Sequence, residues 1–208
     1  MSDSALEILS YEDIRKRADD FLISYHPERS IPIPIEEIIE FQLDIHISPL
    51  PGLKRLLGEA EIEGFLASDF SEIVVDQDVY EDIDTRYRFT LAHEIGHLML
   101  HQEMYSRYKI NNFEGRLNFV RNIPDESYFW FEWQAKAFAG LVLVPGDQLE
   151  EVVAENIDLV RESGVRFEGP NDPKWDYVCE GVKKPFQVSS QVVDIRMNKD
   201  GLKNKYSD

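Results

Sequence analysis

The stretch RYRFTLAHEIGHLMLHQ, residues 86–102, constrains the fold more than any other part of the chain. Its apolar residues fall on nearly every side of a helix rather than on one stripe, and a helix with that pattern is buried. The same stretch holds three of the chain's five histidines: His93, His97 and His101. Unpaired polar groups are costly in an apolar interior. The fold must therefore supply partners for these imidazoles.

His93 and His97 are one helical turn apart, so they project from the same face. Together with Glu94 they form H-E-x-x-H, a spacing at which two imidazoles bind one zinc ion. Glu94 lies about 100° round the helix from His93. A carboxylate in that place can take a proton from the attacking water. We therefore predict that His93 and His97 bind metal and that Glu94 is the catalytic base.

His101 continues the series by one turn, but it cannot share the same ion. The helix rises about 12 Å from His93 to His101, whereas zinc–nitrogen bonds are about 2 Å long. The longer motif with a glycine and a third histidine is also absent, because Leu100 and Glu103 occupy those positions. We expect His101 to be a helix-end residue or a group behind the ligands, and the third ligand to come from elsewhere.

A second apolar helix, FEWQAKAFAGLVLVP at residues 131–145, offers that ligand. Glu132 shares a helical face with Ala135 and Ala139, two small residues that would let the helix containing Gly96 approach closely. Two histidines and one glutamate leave a coordination position open for water, as hydrolytic zinc sites require. We therefore predict Glu132 as the third metal ligand.

Two assignments stay open from the sequence. Asp125 and Glu126, nearer the preceding loop, are rival ligands. The group that stabilises the oxyanion is not identified, and the candidates are Tyr105, Tyr108, Tyr128 and His101.

The order of elements predicts an α+β fold. Short β-branched runs in DIHISPL, EGFLAS and SEIVVDQ predict a small sheet, mainly antiparallel because the connections are short. Residues 102–125 are polar and irregular, which favours a loop. Helical spacing predicts helices at residues 11–26, from Pro34, at 84–101, at 125–142, from Pro145 and twice more near the C-terminus.

We expect one domain over residues 1–208. It would comprise N-terminal helices in 1–45, the sheet and the metal-binding helices in 46–145, and a C-terminal helical segment in 146–208.

The formal net charge of −18 argues against direct binding of nucleic acid or of anionic membranes, and suits a basic protein partner. The sequence shows neither a signal peptide nor an apolar run long enough to cross a bilayer, so we expect a cytoplasmic protein. The single cysteine, Cys179, excludes an intrachain disulfide and a multi-thiolate metal site, and is expected to be a packed residue.

Three segments resemble the ImmA/IrrE metallopeptidases in order and spacing: GFLASDFSEIVVDQD, RYRFTLAHEIGHLMLH and EWQAKAFAGLVLVP. The similarity covers roughly residues 30 to 202. It implies a zincin-like fold, Zn²⁺ bound by His93, His97 and Glu132, and Glu94 as general base. It further implies a protein substrate, an intracellular helix-turn-helix transcriptional repressor.

The chain departs from the family's usual residues at Lys136, Gly140 and Leu141. None of the three is an implied ligand, so the departures bear on substrate contacts rather than on the metal.

The leading hypothesis is a zinc-dependent endopeptidase that cleaves such a repressor. The alternative is a non-catalytic metal-binding module, regulatory or part of a toxin–antitoxin pair, that binds a repressor without cutting it. A hydrolase of non-peptide substrates is a weaker third hypothesis. A purely structural metal site gives Glu94 no role, which favours the enzyme.

Overall fold

A computed structural model describes residues 6–56, 63–82, 84–108 and 113–207. The strands are β1 (His46–Leu50), β2 (Gly64–Leu66) and β3 (Glu72–Asp76). The α-helices are α1 (Tyr11–Tyr25), α2 (Ile35–Glu37), α3 (Leu53–Leu56), α4 (Gln77–Asp82), α5 (Asp84–Leu100), α6 (Gln102–Tyr108), α7 (Phe113–Asn122), α8 (Asp125–Leu143), α9 (Gly146–Glu162), α10 (Trp175–Phe186), α11 (Ser190–Lys199) and α12 (Leu202–Tyr206). A π-helical turn, Ile38–Gln42, continues α2. None of the helices in these ranges is long and apolar enough to span a membrane.

The sheet confirms the α+β class, and its strand order is β1-β3-β2. β2 pairs antiparallel with β3, whereas β1 pairs parallel with β3. The expected antiparallel arrangement therefore holds for one of the two pairings, and the sheet is mixed. The physical reason is the connection: residues 51–71 include α3 and β2, which is enough chain to return to the same end of the sheet before β3 begins.

Helix α5 is buried between the sheet and α8, as its all-round apolar pattern predicts. On one side, a Cβ at Gly64 of β2 would lie only 2.9 Å from the Thr90 side chain. On the other side, a Cβ at Gly96 would lie 2.9 Å from the carbonyl oxygen of Ala135 and 3.0 Å from its Cα. The helices thus approach backbone to backbone at Gly96, and the close approach expected between the two apolar helices is confirmed.

Helix α8 is held from two further sides. α1 begins with a capping box between Ser10 and Asp13, and its Phe21 packs edge-on against Phe138 with ring centroids 5.8 Å apart. α11 contributes the buried Arg196, whose Nε donates to the carbonyl oxygen of Val144 at 3.2 Å. These contacts fix the face of α8 that is turned towards α5.

The C-terminal helices pack against one another: α10 contacts both α9 and α11, and α11 also contacts α8. Trp175 stacks on Phe167 with centroids 4.1 Å apart. The lone Cys179 is buried beside Met197, and burial raises the pKa of its thiol to about 11. The structure therefore places this cysteine in the core, as expected.

The prediction that residues 102–125 are mainly loop is wrong, because α6 and α7 occupy most of that range. Each helix has an inward face at helical spacing: Met104 and Tyr105 are buried in α6, and Arg116 and Phe119 in α7. Tertiary burial of these side chains overrides the weak local preference of a segment containing asparagines and Gly115.

We predict that Gly96→Ala destabilises the fold by about 1–3 kcal/mol, because the added methyl group meets backbone atoms that cannot move aside alone. Urea denaturation measures this. Gly140→Ala in α8 is the matched control: its Cβ would meet nothing nearer than the Arg196 side chain at 3.6 Å. That variant should be neutral or gain about 0.5–1 kcal/mol from helix propensity. Equal destabilisation of the two variants would contradict the close approach at Gly96.

Candidate metal centre

Three predicted ligand side chains converge where α5 faces α8. The Nε2 atoms of His93 and His97 are 3.1 Å apart. Glu132 directs Oε2 towards Nε2 of His93 at 3.3 Å and Oε1 towards Nε2 of His97 at 3.7 Å. The close helix packing at Gly96 thus brings together donors separated by thirty-five residues of sequence.

The ring of His97 is fixed and neutral. It is fully buried and stacks on Phe131 with centroids 4.1 Å apart and an interplanar angle of 21°. Burial, reinforced by the nearby His93 and His101, lowers its pKa well below the usual value. An imidazole must be unprotonated to bind a metal, so the surroundings of His97 favour the form that binds.

His101 lies on the far side of His97 from the three predicted ligand atoms, against Nδ1 rather than Nε2 of His97. Its Nδ1 is 3.0 Å from Nδ1 of His97, and its ring stacks on Phe131 at 4.5 Å. Burial lowers the pKa of His101 to about 3 against the opposing charge of Glu132. Gln134 lies 3.5 Å from its other ring nitrogen and accepts the Leu9 N–H at 2.8 Å. His101 therefore links His97 to the segment that precedes α1.

Glu132 is held as a carboxylate by Arg116 and His93. Arg116 of α7 is 1% exposed, and its Nη2 donates to Oε1 of Glu132 at 3.0 Å. Burial alone would raise the pKa of Glu132, but the hydrogen bond from His93 and the charges of His93 and Arg116 lower it to about 2. Among the residues that the structure describes, Nε and Nη1 of Arg116 have no hydrogen-bond partner.

Glu94 is anchored to the sheet. Its Oε2 accepts the backbone N–H of Leu66 in β2 at 2.9 Å, and the residue is 1% exposed. Burial raises its pKa, opposed by the charges of His93 and Arg116. A buried carboxylate with a raised pKa holds a proton more tightly than an exposed one, which suits general-base chemistry.

Two glutamates, Glu94 and Glu132, are candidates for the third metal ligand. In the described chain, Glu94 offers an oxygen within 4.8 Å of the ligand atoms of His93 and His97. Glu132 offers two oxygens at 3.3 and 3.7 Å from the histidine Nε2 atoms. Glu94 is moreover held by Leu66, so the geometry favours Glu132. Of the other rivals, Asp125 lines the same cavity but is exposed, and Glu126 is exposed and outside its lining.

The donor set fits a zinc ion. Zinc bonds of 2.0–2.2 Å to nitrogen and carboxylate oxygen place tetrahedral neighbours about 3.3–3.5 Å apart. The distances of 3.1, 3.3 and 3.7 Å between the three donors bracket that range. Two imidazole nitrogens and a carboxylate oxygen are ligand types that zinc accepts, and three such donors leave a fourth position open.

The site opens into a cavity of about 870 Å³. Of the four candidate groups for oxyanion stabilisation, only Tyr128 lines this cavity. Burial and the charge of Glu132 raise the pKa of Tyr128 to about 12, so its hydroxyl remains a donor at neutral pH. Tyr105 is fully buried and, like Tyr108 and His101, lies outside the lining.

Arg116 is the residue of this site that the sequence did not predict. It lines the cavity and contacts Glu132, but it belongs to the segment expected to be a loop. A signal was present: Arg116, Phe119 and Ile123 share a helical face, and all three are buried. A single arginine on an apolar helical face requires a buried acidic partner.

The profile of the IrrE N-terminal-like domain, a peptidase family, matches residues 79–198. The match includes α5 and α8, so it spans all three predicted ligands and Glu94. No curated protein matches the chain.

We predict that the protein binds one zinc ion and that Glu132→Gln weakens the binding more than about 100-fold, since losing even a residue behind a ligand costs 10–100-fold. Calorimetric titration of metal-free protein measures this. Glu126→Gln, at an exposed residue in the first turn of the same helix, should bind zinc like the wild type. Undiminished zinc affinity in Glu132→Gln would remove Glu132 from the ligand set.

Proposed function

This chain belongs to the ImmA/IrrE peptidase family, and we propose that it is a zinc-dependent endopeptidase that cleaves an intracellular helix-turn-helix transcriptional repressor. The observation that supports the activity most strongly is that His93 and Glu132 line one cavity together with Glu94, a separately anchored glutamate. The buried His97 lies directly behind this lining, against both His93 and Glu132. The family match independently supports a metallopeptidase-type function.

In this proposal His93, His97 and Glu132 hold the metal. A bound zinc ion would act as a Lewis acid, polarising the peptide carbonyl and making a water molecule acidic enough to attack at neutral pH. Arg116 keeps Glu132 ionised and oriented through its hydrogen bond at 3.0 Å. His101 and Phe131 fix the ring of His97 by hydrogen bonding and stacking.

Glu94 moves the proton. Leu66 holds one carboxylate oxygen of Glu94, while the side chain lines the cavity in which the scissile bond would lie. Glu94 takes a proton from the attacking water as the water oxygen bonds to the carbonyl carbon. It then gives that proton to the amide nitrogen as the carbon–nitrogen bond breaks. Tyr128 can donate its hydroxyl hydrogen to the carbonyl oxygen as negative charge develops there.

A peptide substrate suits the walls of the cavity. β2 is an edge strand of the sheet, and its Gly64 lines the cavity. A strand at the edge of a sheet can pair with an extended peptide, and glycine lets another backbone approach closely. The repressor as substrate and the cytoplasm as location are proposed from the resemblance of the three sequence segments to the family.

We predict that Glu94→Gln retains zinc and loses about 10²–10⁴-fold in the cleavage rate, because an amide cannot accept the proton. The assay incubates the protein with repressors encoded beside it, and mass spectrometry identifies the products. Glu103→Gln on the exposed side of α6 is the matched control and should cleave normally.

Two outcomes would contradict the proposal. Cleavage at an undiminished rate by Glu94→Gln would exclude Glu94 as the base. A wild-type protein that binds zinc and alters the DNA binding of a repressor, but leaves every such repressor intact, would favour the non-catalytic module.

A further inference from the structure

A second cavity, of about 740 Å³, adjoins the metal centre. It lies where α11 and Tyr11 of α1 face α5 and α8. Four residues line both cavities, so the two cavities are direct neighbours: Glu63, Phe89, Trp133 and Lys136. A peptide bound at the metal centre can therefore extend into the second cavity.

The second cavity is positively charged in a strongly acidic chain. Its lining contains a single carboxylate, Glu63, against four cations: Arg86, Lys136, Arg196 and Lys199. The cavity at the candidate metal centre has the opposite balance of charge, with four carboxylates and two cations in its lining. With a net charge of −18 for the whole chain, this local excess of positive charge distinguishes the second cavity from the average surface.

Two of the four cations are already neutralised within the fold. Arg86 forms an ion pair with Glu63. Arg196 is buried, and its Nη2 lies 2.8 Å from Oδ2 of Asp200. The positive charge that remains available to a ligand is therefore on Lys136 and Lys199.

Lys136 and Lys199 are exposed, and neither has a carboxylate within ion-pair distance in the part of the chain that the structure describes. The ammonium group of Lys199 lies 5.4 Å from the ring centroid of Tyr11 and 5.7 Å from that of Trp133. These aromatic rings hold a cation at the wall of the cavity without neutralising it.

The position of Lys136 indicates how far the second cavity lies from the scissile bond. Lys136 is four residues after Glu132 on α8, about 6 Å further along the same helical face. An extended peptide advances about 3.3 Å per residue. A substrate side chain that reaches Lys136 therefore belongs to a residue roughly two to four positions from the scissile bond.

We propose that the second cavity binds an aspartate or glutamate side chain of the substrate, two to four residues from the cleaved bond, and that Lys136 and Lys199 are the specificity-determining residues. The inference rests on the proposed peptidase function. It gives a role to Lys136, a position where the chain departs from the family's usual residue. A repressor with a basic DNA-binding surface can meet this requirement through an acidic segment at its cleavage site.

Peptide hydroxamates test the inference, because the hydroxamate binds zinc and fixes the register of the peptide in the cleft. Two series extend from the hydroxamate in opposite directions, and in each a single glutamate, glutamine or lysine is moved stepwise along the peptide. Binding to zinc-loaded Glu94→Gln protein is followed by fluorescence anisotropy. In one series, glutamate two to four residues from the hydroxamate should bind about three- to twenty-fold more tightly than lysine there.

The charge-reversed variant Lys136→Glu/Lys199→Glu should reverse that preference, and Lys136→Gln/Lys199→Gln should abolish it. Lys16→Glu/Lys184→Glu changes the net charge equally at exposed residues outside both cavities and should leave the preference unchanged. Zinc content confirms that each variant is folded at the metal centre.

The outcomes separate the inference from the function on which it rests. Equal binding of the glutamate and lysine peptides, or a preference that survives charge reversal, overturns the acidic subsite and leaves the peptidase proposal intact. Failure of every hydroxamate to bind zinc-loaded protein would instead overturn the peptidase proposal, because the bound zinc would then not be open to a peptide ligand.

Discussion

The backbone contact between Gly96 of α5 and Ala135 of α8 sets the distance between the two halves of the proposed metal site. His93 and His97 flank Gly96 on one helix, and Glu132 precedes Ala135 by one turn on the other. With the glycine Cβ position only 2.9 Å from the Ala135 carbonyl oxygen, no larger residue fits without separating the helices. The distances of 3.3 and 3.7 Å from Glu132 to the two histidines therefore depend on the absence of one side chain.

The electrostatics of the site depend on a second buried element, α7. Arg116 contributes a guanidinium that is nearly inaccessible to water and bonded to Glu132. A buried ion pair is weak evidence for stability, since desolvation offsets its attraction. The ion pair instead affects the protonation of the two glutamates. Together with His93, Arg116 lowers the pKa of Glu132 and so keeps it ionised, whereas burial leaves Glu94 with a raised pKa. Two glutamates in one cavity thus differ in the role that each can perform.

Much of this arrangement could be predicted from the sequence because it depends on local periodicity. H-E-x-x-H places two imidazoles on one face of a helix whatever the rest of the fold, and the small residues Gly96 and Ala135 indicate where two helices meet. The pairing of β1 with β3 and the helices α6 and α7 were missed because they depend on tertiary contacts. Arg116 was missed because it lies on α7. The two cavities meet at Lys136 because three helices pack together there, and no local sequence pattern shows such packing.

The central claim is that His93, His97 and Glu132 together coordinate zinc. X-ray absorption at the zinc edge tests it most directly, on the wild type and on Glu132→Gln. The account predicts two imidazole nitrogens and carboxylate or water oxygens at about 2.0–2.2 Å in the wild type, with the carboxylate contribution lost in the variant. A shell with fewer than two imidazoles, or an identical spectrum for the two proteins, would contradict it.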